Sequence, residues 1–222
     1  TNPRGGTPFI LLSDHNKDLV VMTFSGGTFT ENVRVHEKNR FMRSAPAFLA
    51  DGRSIIGVEE IKRTNMNEEI GAGKGGAIFS GPNLTKTAPL TGLPQIYATP
   101  TRLPDGRVFL VGAPGEMALL SAGKVVARVP LADRSIASVA ASYTHLFVAS
   151  REALHTFSPD NLAEVARFDW NEGGDSSPVI GPQGHVYAIA DDAMFVFSPA
   201  TAVPMTAGNG GAESPQNGGI FQ

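Results

Sequence analysis

The sequence predicts an all-β protein, a β-propeller of four-stranded antiparallel blades, on three observations. A small residue followed by Pro or Val recurs as Thr7-Pro8, Ala45-Pro46, Thr99-Pro100, Ser138-Val139, Ser177-Pro178 and Ser214-Pro215. The second members, Pro8, Pro46, Pro100, Val139, Pro178 and Pro215, are spaced by 38, 54, 39, 39 and 37 residues, and a period of roughly 40 residues is that of a four-stranded blade. Each dipeptide opens short apolar runs rich in β-branched and aromatic residues. The 25 glycines and 16 prolines among 222 residues punctuate those runs with turns. Repeats starting near residues 7, 45, 99, 138 and 177, with a terminal stub from 214, make residues 1–222 a single domain. Five full repeats favour five blades in a ring closed by strands from both ends, so that no edge is bare; the alternative is part of a six- to eight-bladed propeller.

Within a repeat the inner strand comes first, as FILL from Phe9, AFLA from Ala47, TRLP from Thr101, AAS from Ala140 and VIG from Val179. Asp51-Gly52, Asp105-Gly106 and Gln183-Gly184 follow, residues that accept the positive φ of a tight hairpin. The second strand is a nearly continuous apolar run: LVVMTF from Leu19, SIIGVE from Ser54, RVFLVG from Arg107, HLFVAS from His145 and HVYAIA from His185. Such runs suit a strand covered on both faces. The third reads TFTENV from Thr28, AIFS from Ala77, MALLS from Met117, ALHTFS from Ala153 and AMFVFS from Ala193. The outer strand is the faintest, at VVARVPL from Val125, AEVARFDW from Ala163, LTKTAPL from Leu84, around Pro204, and a trace before Arg43. Outer strands are short, exposed and tolerant of Pro, which explains the fading signal. The second repeat carries a surplus from Glu59 to Gly76, read as an excursion without packed structure because of glycines at 71, 73, 75 and 76.

Composition narrows the function classes. A net charge of −3 and a pI near 5.9 give no general attraction to phosphate backbones, so nucleic acid is not the expected partner. No apolar run approaches the roughly 18 residues that span a bilayer, so no membrane insertion is expected. The absence of Cys excludes disulfides, thiolate metal sites and thiol catalysis. Thr1 in place of Met is read as the mark of a processed or excised chain, and an extracytoplasmic location, periplasmic or secreted, is the expectation.

The strings SSPVIGPQGHVYAIADDAMFVF and ATPTRLPDGRVFLVG resemble the repeats of PQQ-like, quinoprotein-type propellers. The resemblance spans most of the chain and implies the same blade architecture. The family's outer segment, an acidic residue and Thr-Gly-Lys before a Trp, is reduced to SPDNLAEVARFDW, ending at Trp170. The quinoprotein enzymes also carry an adjacent Cys pair and a Trp beneath the cofactor, which this chain with no Cys and one Trp cannot match, so the cofactor is not carried over. The first repeat, TPFILLSDHNKDLVVMTFSGG, resembles a degenerate FG-GAP or VCBS repeat. There Asp14, Asn16 and Asp18 offer the alternating oxygens of a calcium loop. Leu19 replaces the expected Gly and no later acid closes the site, so an Asx-rich turn is the preferred reading and no cofactor is expected.

Ligands of propellers gather where inner strands and the loops entering them converge. By that argument the candidate ligand-binding residues are Arg43, Tyr97, Arg102, Arg134, Trp170 and Asp175: guanidinium groups to grip carboxylate or phosphate, and aromatics to stack. Arg102 and Trp170 depart furthest from ordinary solvated positions, one as a charge in an inner strand, the other as a Trp assigned to an exposed loop. Competing chemistries fit less well. Glycoside hydrolysis needs paired carboxylates about 5 to 10 Å apart, and the inner strands hold no acid. GAGKGG lacks the first Gly and the final Ser or Thr of a phosphate loop. His15, His36, His145, His155 and His185 show no metal spacing, and Asn83-Leu84-Thr85 is too short a pattern to read as a glycan acceptor. No catalytic residue and no metal site is assigned. The expected function is therefore a non-catalytic recognition or assembly module for a protein, glycan or small anion, against the alternatives of a quinoprotein-like or glycan-cleaving enzyme domain and a purely structural propeller.

Overall fold

The computed structural model describes residues 9–13, 18–36, 40–42, 44–49, 53–63, 68–70, 77–80, 85–90, 93, 95–112, 115–131, 135–170, 173–174, 176–190 and 192–198. Every regular element among them is a β-strand. The chain divides into two compact units, Thr1–Tyr97 and Ala98–Gln222.

In the first unit, β1 (Phe9–Ser13), β2 (Asp18–Ser25) and β3 (Thr28–His36) form an antiparallel meander in the order β1-β2-β3. β4 (Arg40–Met42) is the trace of an outer strand seen in the sequence, but it joins a different sheet. The second repeat supplies β5 (Ala47–Phe48), β6 (Ser54–Ile56), β7 (Val58–Arg63), β8 (Glu68–Ile70), β9 (Ala77–Ser80) and β10 (Thr85–Pro89). Four of them make a sheet in the order β10-β9-β6-β5, and β4-β7-β8 make another. β6 runs through Gly57 into β7, and Gly57 N–H donates to the Ser44 hydroxyl at 2.7 Å. The surplus segment, expected to lack packed structure, is thus corrected in part: β7 pairs with β8 in a hairpin from Ile61↔Ile70 to Arg63↔Glu68. The strands lie in the charged VEEIKR and EEI runs, which precede the glycines at 71, 73, 75 and 76. Leu19, Val21, Ile56 and Val58 form the core here, with Val33, Val35 and Phe48 against them.

In the second unit each repeat is one sheet. β11 (Thr101–Arg102), β12 (Val108–Gly112), β13 (Glu116–Ser121) and β14 (Lys124–Pro130) follow in spatial order, as do β15 (Ala140–Ala141), β16 (Leu146–Ala149), β17 (Ala153–Phe157) and β18 (Glu164–Asp169). The last described sheet is β19 (Val179–Ile180), β20 (Val186–Ala190) and β21 (Ala193–Phe197). All five inner strands begin where the dipeptides place them. Gly106 and Gly184 take φ of +86° and +79°, and their N–H groups close turns onto Leu103 and Gly181 carbonyls at 2.9 Å, as the hairpin reading requires. β12 is buried throughout, whereas β18 is exposed throughout, which matches inner and outer positions in a blade.

Two cores hold these sheets together. Phe109, Val111, Met117 and Leu119 of the first sheet pack with Leu146, Val148 and Phe157 of the next. The opposite face of that sheet, with Ala140, Ala149 and Leu154, packs with Trp170, Ile180, Val186 and Ala188. Hydrogen bonds at the repeat period reinforce the packing: Thr99 N–H donates to the Ser138 hydroxyl, and Ser138 N–H to the Ser177 hydroxyl, both at 2.9 Å. The Thr101 hydroxyl donates to the Val139 carbonyl at 2.8 Å.

Candidate binding surface

Arg102 closes the short inner strand β11 and pairs with Val108, so it shares the face of the sheet that carries Val108, opposite to Thr101 and Phe109. Its guanidinium Nε is buried and, among the described residues, has no hydrogen-bond partner. A buried polar atom without a partner carries a desolvation penalty that a bound acceptor would relieve. This is the atom of the described structure that asks for a ligand.

Tyr97 lies in the first unit, half-buried, with its hydroxyl donating to Gln95 Oε1 at 2.8 Å. Trp170 is corrected: the exposed contact ring expected from sequence is only 7% exposed and sits in the core beside Phe195, ring centroids 5.9 Å apart. Its indole N–H lies 3.1 Å from the Ser150 carbonyl and 3.0 Å from the Arg151 carbonyl. The Trp follows an outer strand, and its ring turns back beneath the loop joining β16 to β17 instead of outward. Arg43, Arg134 and Asp175 lie outside the described residues, as do Asp14 and Asn16.

Asp18 is described, and its carboxylate is already engaged. Arg34 Nη1 reaches Oδ2 and His36 Nδ1 reaches Oδ1, both at 2.6 Å. The hydrogen bond from His36, then that from Arg34, holds the Asp18 carboxyl below its usual range. Arg34 also forks onto Glu31, lowering that carboxyl, while its own guanidinium is pushed up by Glu31 and Asp18. This network crosses β2 and β3 and ties Asp18 to its neighbours on the sheet.

Sequence spacing gave no hint of a second polar cluster. Ser150 Oγ lies 3.0 Å from His155 Nε2, and His155 Nδ1 lies 2.8 Å from Glu164 Oε1. The order of groups is that of a nucleophile, base and orienting acid, but Ser150 is fully buried and its hydroxyl also meets Ala153 N and O at 3.2 and 3.1 Å. A nucleophile must reach substrate, so this trio is a structural clamp between β17 and β18. With the proton on Nδ1 facing Glu164, Nε2 accepts from Ser150, an assignment that satisfies both contacts. Arg107 is likewise structural, bonded to Asp105 Oδ2 and to the Pro159 carbonyl at 2.6 Å each.

Among solved structures, the C-terminal WD40 domain of Sif2 superposes with a TM-score of 0.65 at 11% identity, covering 89% of this chain and 56% of that one. Saccharomyces cerevisiae Sqt1 gives 0.56 at 10% identity, covering 87% of this chain and 68% of that one. The chain thus spans little more than half the length of the Sif2 domain. No family model and no curated protein matches the sequence. With the small antiparallel sheets, these likenesses establish the fold class: the chain is an all-β protein with a β-propeller fold.

Proposed function

We propose that this propeller is a non-catalytic recognition module that grips an acidic group of a partner protein through Arg102. The buried Nε of Arg102, which has no hydrogen-bond partner among the described residues, carries the reading. A guanidinium presents a planar fork suited to carboxylate, and a partner's Asp or Glu would supply the missing acceptor. The propeller fold supports the same reading, since it offers a rigid scaffold on which such a residue is preorganised. We further propose an extracytoplasmic setting for that role, which fractionation of the native source tests directly.

The functional test is an array of acidic and charge-neutralised peptides probed with wild type, Arg102→Lys and Arg102→Gln. A hydrogen bond to a charged group contributes about 1.5–3 kcal/mol, so Arg102→Gln should weaken binding to acidic peptides roughly 10- to 100-fold. Arg102→Lys should recover only part of it. Equal binding by wild type and Arg102→Gln would reject the assignment.

A further inference from the structure

The sheets pack with a fixed polarity. Leu19, Val21, Val33 and Val35 share one face of the sheet β1–β3, its front, which lies against Phe48 and Ile56 on the back of the sheet β10-β9-β6-β5. In the second unit, Phe109 and Leu119 on the front of β11–β14 meet Leu146 and Phe157 on the back of β15–β18. The front of β15–β18, with Ala140, Ala149 and Leu154, meets Ile180, Val186 and Ala188 on the back of β19–β21. In each of these cores a front meets a back. Among the described residues, the front of β19–β21 and the back of β1–β3 are left exposed. The first carries Val179, Ile189, Met194 and Val196, all exposed, Met194 to 64%. The second carries Phe24 and Phe29, paired across the strands with ring centroids 4.8 Å apart and both exposed, Phe29 to 52%. Large apolar side chains gathered on one sheet face mark an interaction site, unlike scattered single ones.

We propose that the front of β19–β21 in one copy of the chain takes the back of β1–β3 of a second copy, a head-to-tail contact that continues the front-to-back packing between sheets. A second copy fits because it brings the face that a front accepts, with apolar side chains already exposed on it. The charges beside Phe24 and Phe29 are matched in advance: Arg34 bridges Asp18 and Glu31 on the same face, so a covering sheet isolates no single charge there. The two surfaces differ and each copy offers one of each, so the contact is heterologous and assembly either extends to further copies or closes by symmetry. A two-fold pairing of the β19–β21 fronts is disfavoured, since it would set a front against a front, an arrangement absent from all three described cores. This inference is independent of the role assigned to Arg102.

Sedimentation velocity from micromolar to millimolar concentration tests this with two substitutions at exposed positions, Met194→Glu on the front and Phe29→Glu on the back. Wild type should sediment as two or more associated chains. Each variant alone should need at least about a tenfold higher concentration to associate, equivalent to about 1.4 kcal/mol, because an unpaired carboxylate enters an apolar contact. An equimolar mixture of the two variants should recover association and stop at two chains, one intact front meeting one intact back. That recovery shows that both variants are folded, and unchanged emission from the buried Trp170 checks each of them alone. A wild type that stays monomeric throughout would overturn the proposal. So would a loss confined to Met194→Glu, the signature of a front-to-front pair, or a mixture that fails to recover.

Discussion

The backbone N–H of Ser138 donates to the hydroxyl of Ser177 at 2.9 Å across 39 residues, and Ser138 returns the same service to Thr99 at the same distance. The recurrence that is visible as a sequence period is therefore also a physical ladder. At Ser138 and Ser177 the hydroxyl of the first dipeptide residue accepts from its counterpart one repeat earlier, and the Val or Pro after it directly precedes the inner strand. The ladder predicts that Ser138→Ala, at a position 4% exposed, will cost about 1–2 kcal/mol by stranding the Thr99 N–H. Denaturant midpoints measure this, and a loss below a few tenths of a kcal/mol would contradict the role.

Gly174 faces a different constraint. A Cβ there would overlap the Ser150 carbonyl oxygen and the Trp170 ring. Gly174→Ala should lower the thermal midpoint by several degrees, since overpacking costs about 1–3 kcal/mol and each kcal/mol moves a chain of this size by about 2–4 °C. The single Trp reports the event directly: its emission, blue in the native state because the ring is buried, should shift to the red in the variant.

The sign of the acid response follows from the network on β2 and β3. The His36 and Arg34 contacts hold the Asp18 carboxyl below the usual carboxylate range, so its contribution to stability is present above that range and is lost as pH falls through the lower folded value. Asp18→Asn should reduce stability at neutral pH, and the difference from wild type should vanish once the solution is acidic enough to protonate Asp18. Parallel denaturant curves from pH 7 to pH 2 check this; a difference that persists unchanged at the acid end would contradict it.

Arg102 predicts a trade between stability and binding. Because its Nε is buried without a partner among the described residues, Arg102→Met should leave stability unchanged or raise it, since replacing an unsatisfied buried polar group by an apolar one of similar length removes a desolvation penalty. Thermal melts measure the outcome. A large destabilisation would mean that the guanidinium already has the partner it needs.

Much of the fold was legible in the sequence because the blade is a local structure. The dipeptides located all five inner strands, and Asp105-Gly106 and Gln183-Gly184 located their turns, since φ and turn chemistry are set by neighbours in the chain. Features set by partners across sheets were not legible. Trp170 read as exposed because its loop is polar, yet carbonyls of Ser150 and Arg151, about twenty residues earlier, draw its ring inward. The Ser150, His155 and Glu164 clamp depends on the pairing of β17 with β18, including a register shift between Thr156 and Phe157 that no spacing rule contains. The β7–β8 hairpin was hidden by the glycines that follow it. Of the candidate site, Arg102 could be singled out because a charge in an inner strand is unusual by itself.

The most direct test of the account is the Nε–Hε cross-peak of Arg102 in a nitrogen–proton correlation spectrum, identified by its loss in Arg102→Lys and followed during titration with an acidic peptide. The account predicts a saturable downfield shift of that proton as the carboxylate occupies the vacant acceptor position, with no comparable shift from the charge-neutralised peptide. A cross-peak that stays fixed while the peptide binds elsewhere would contradict it.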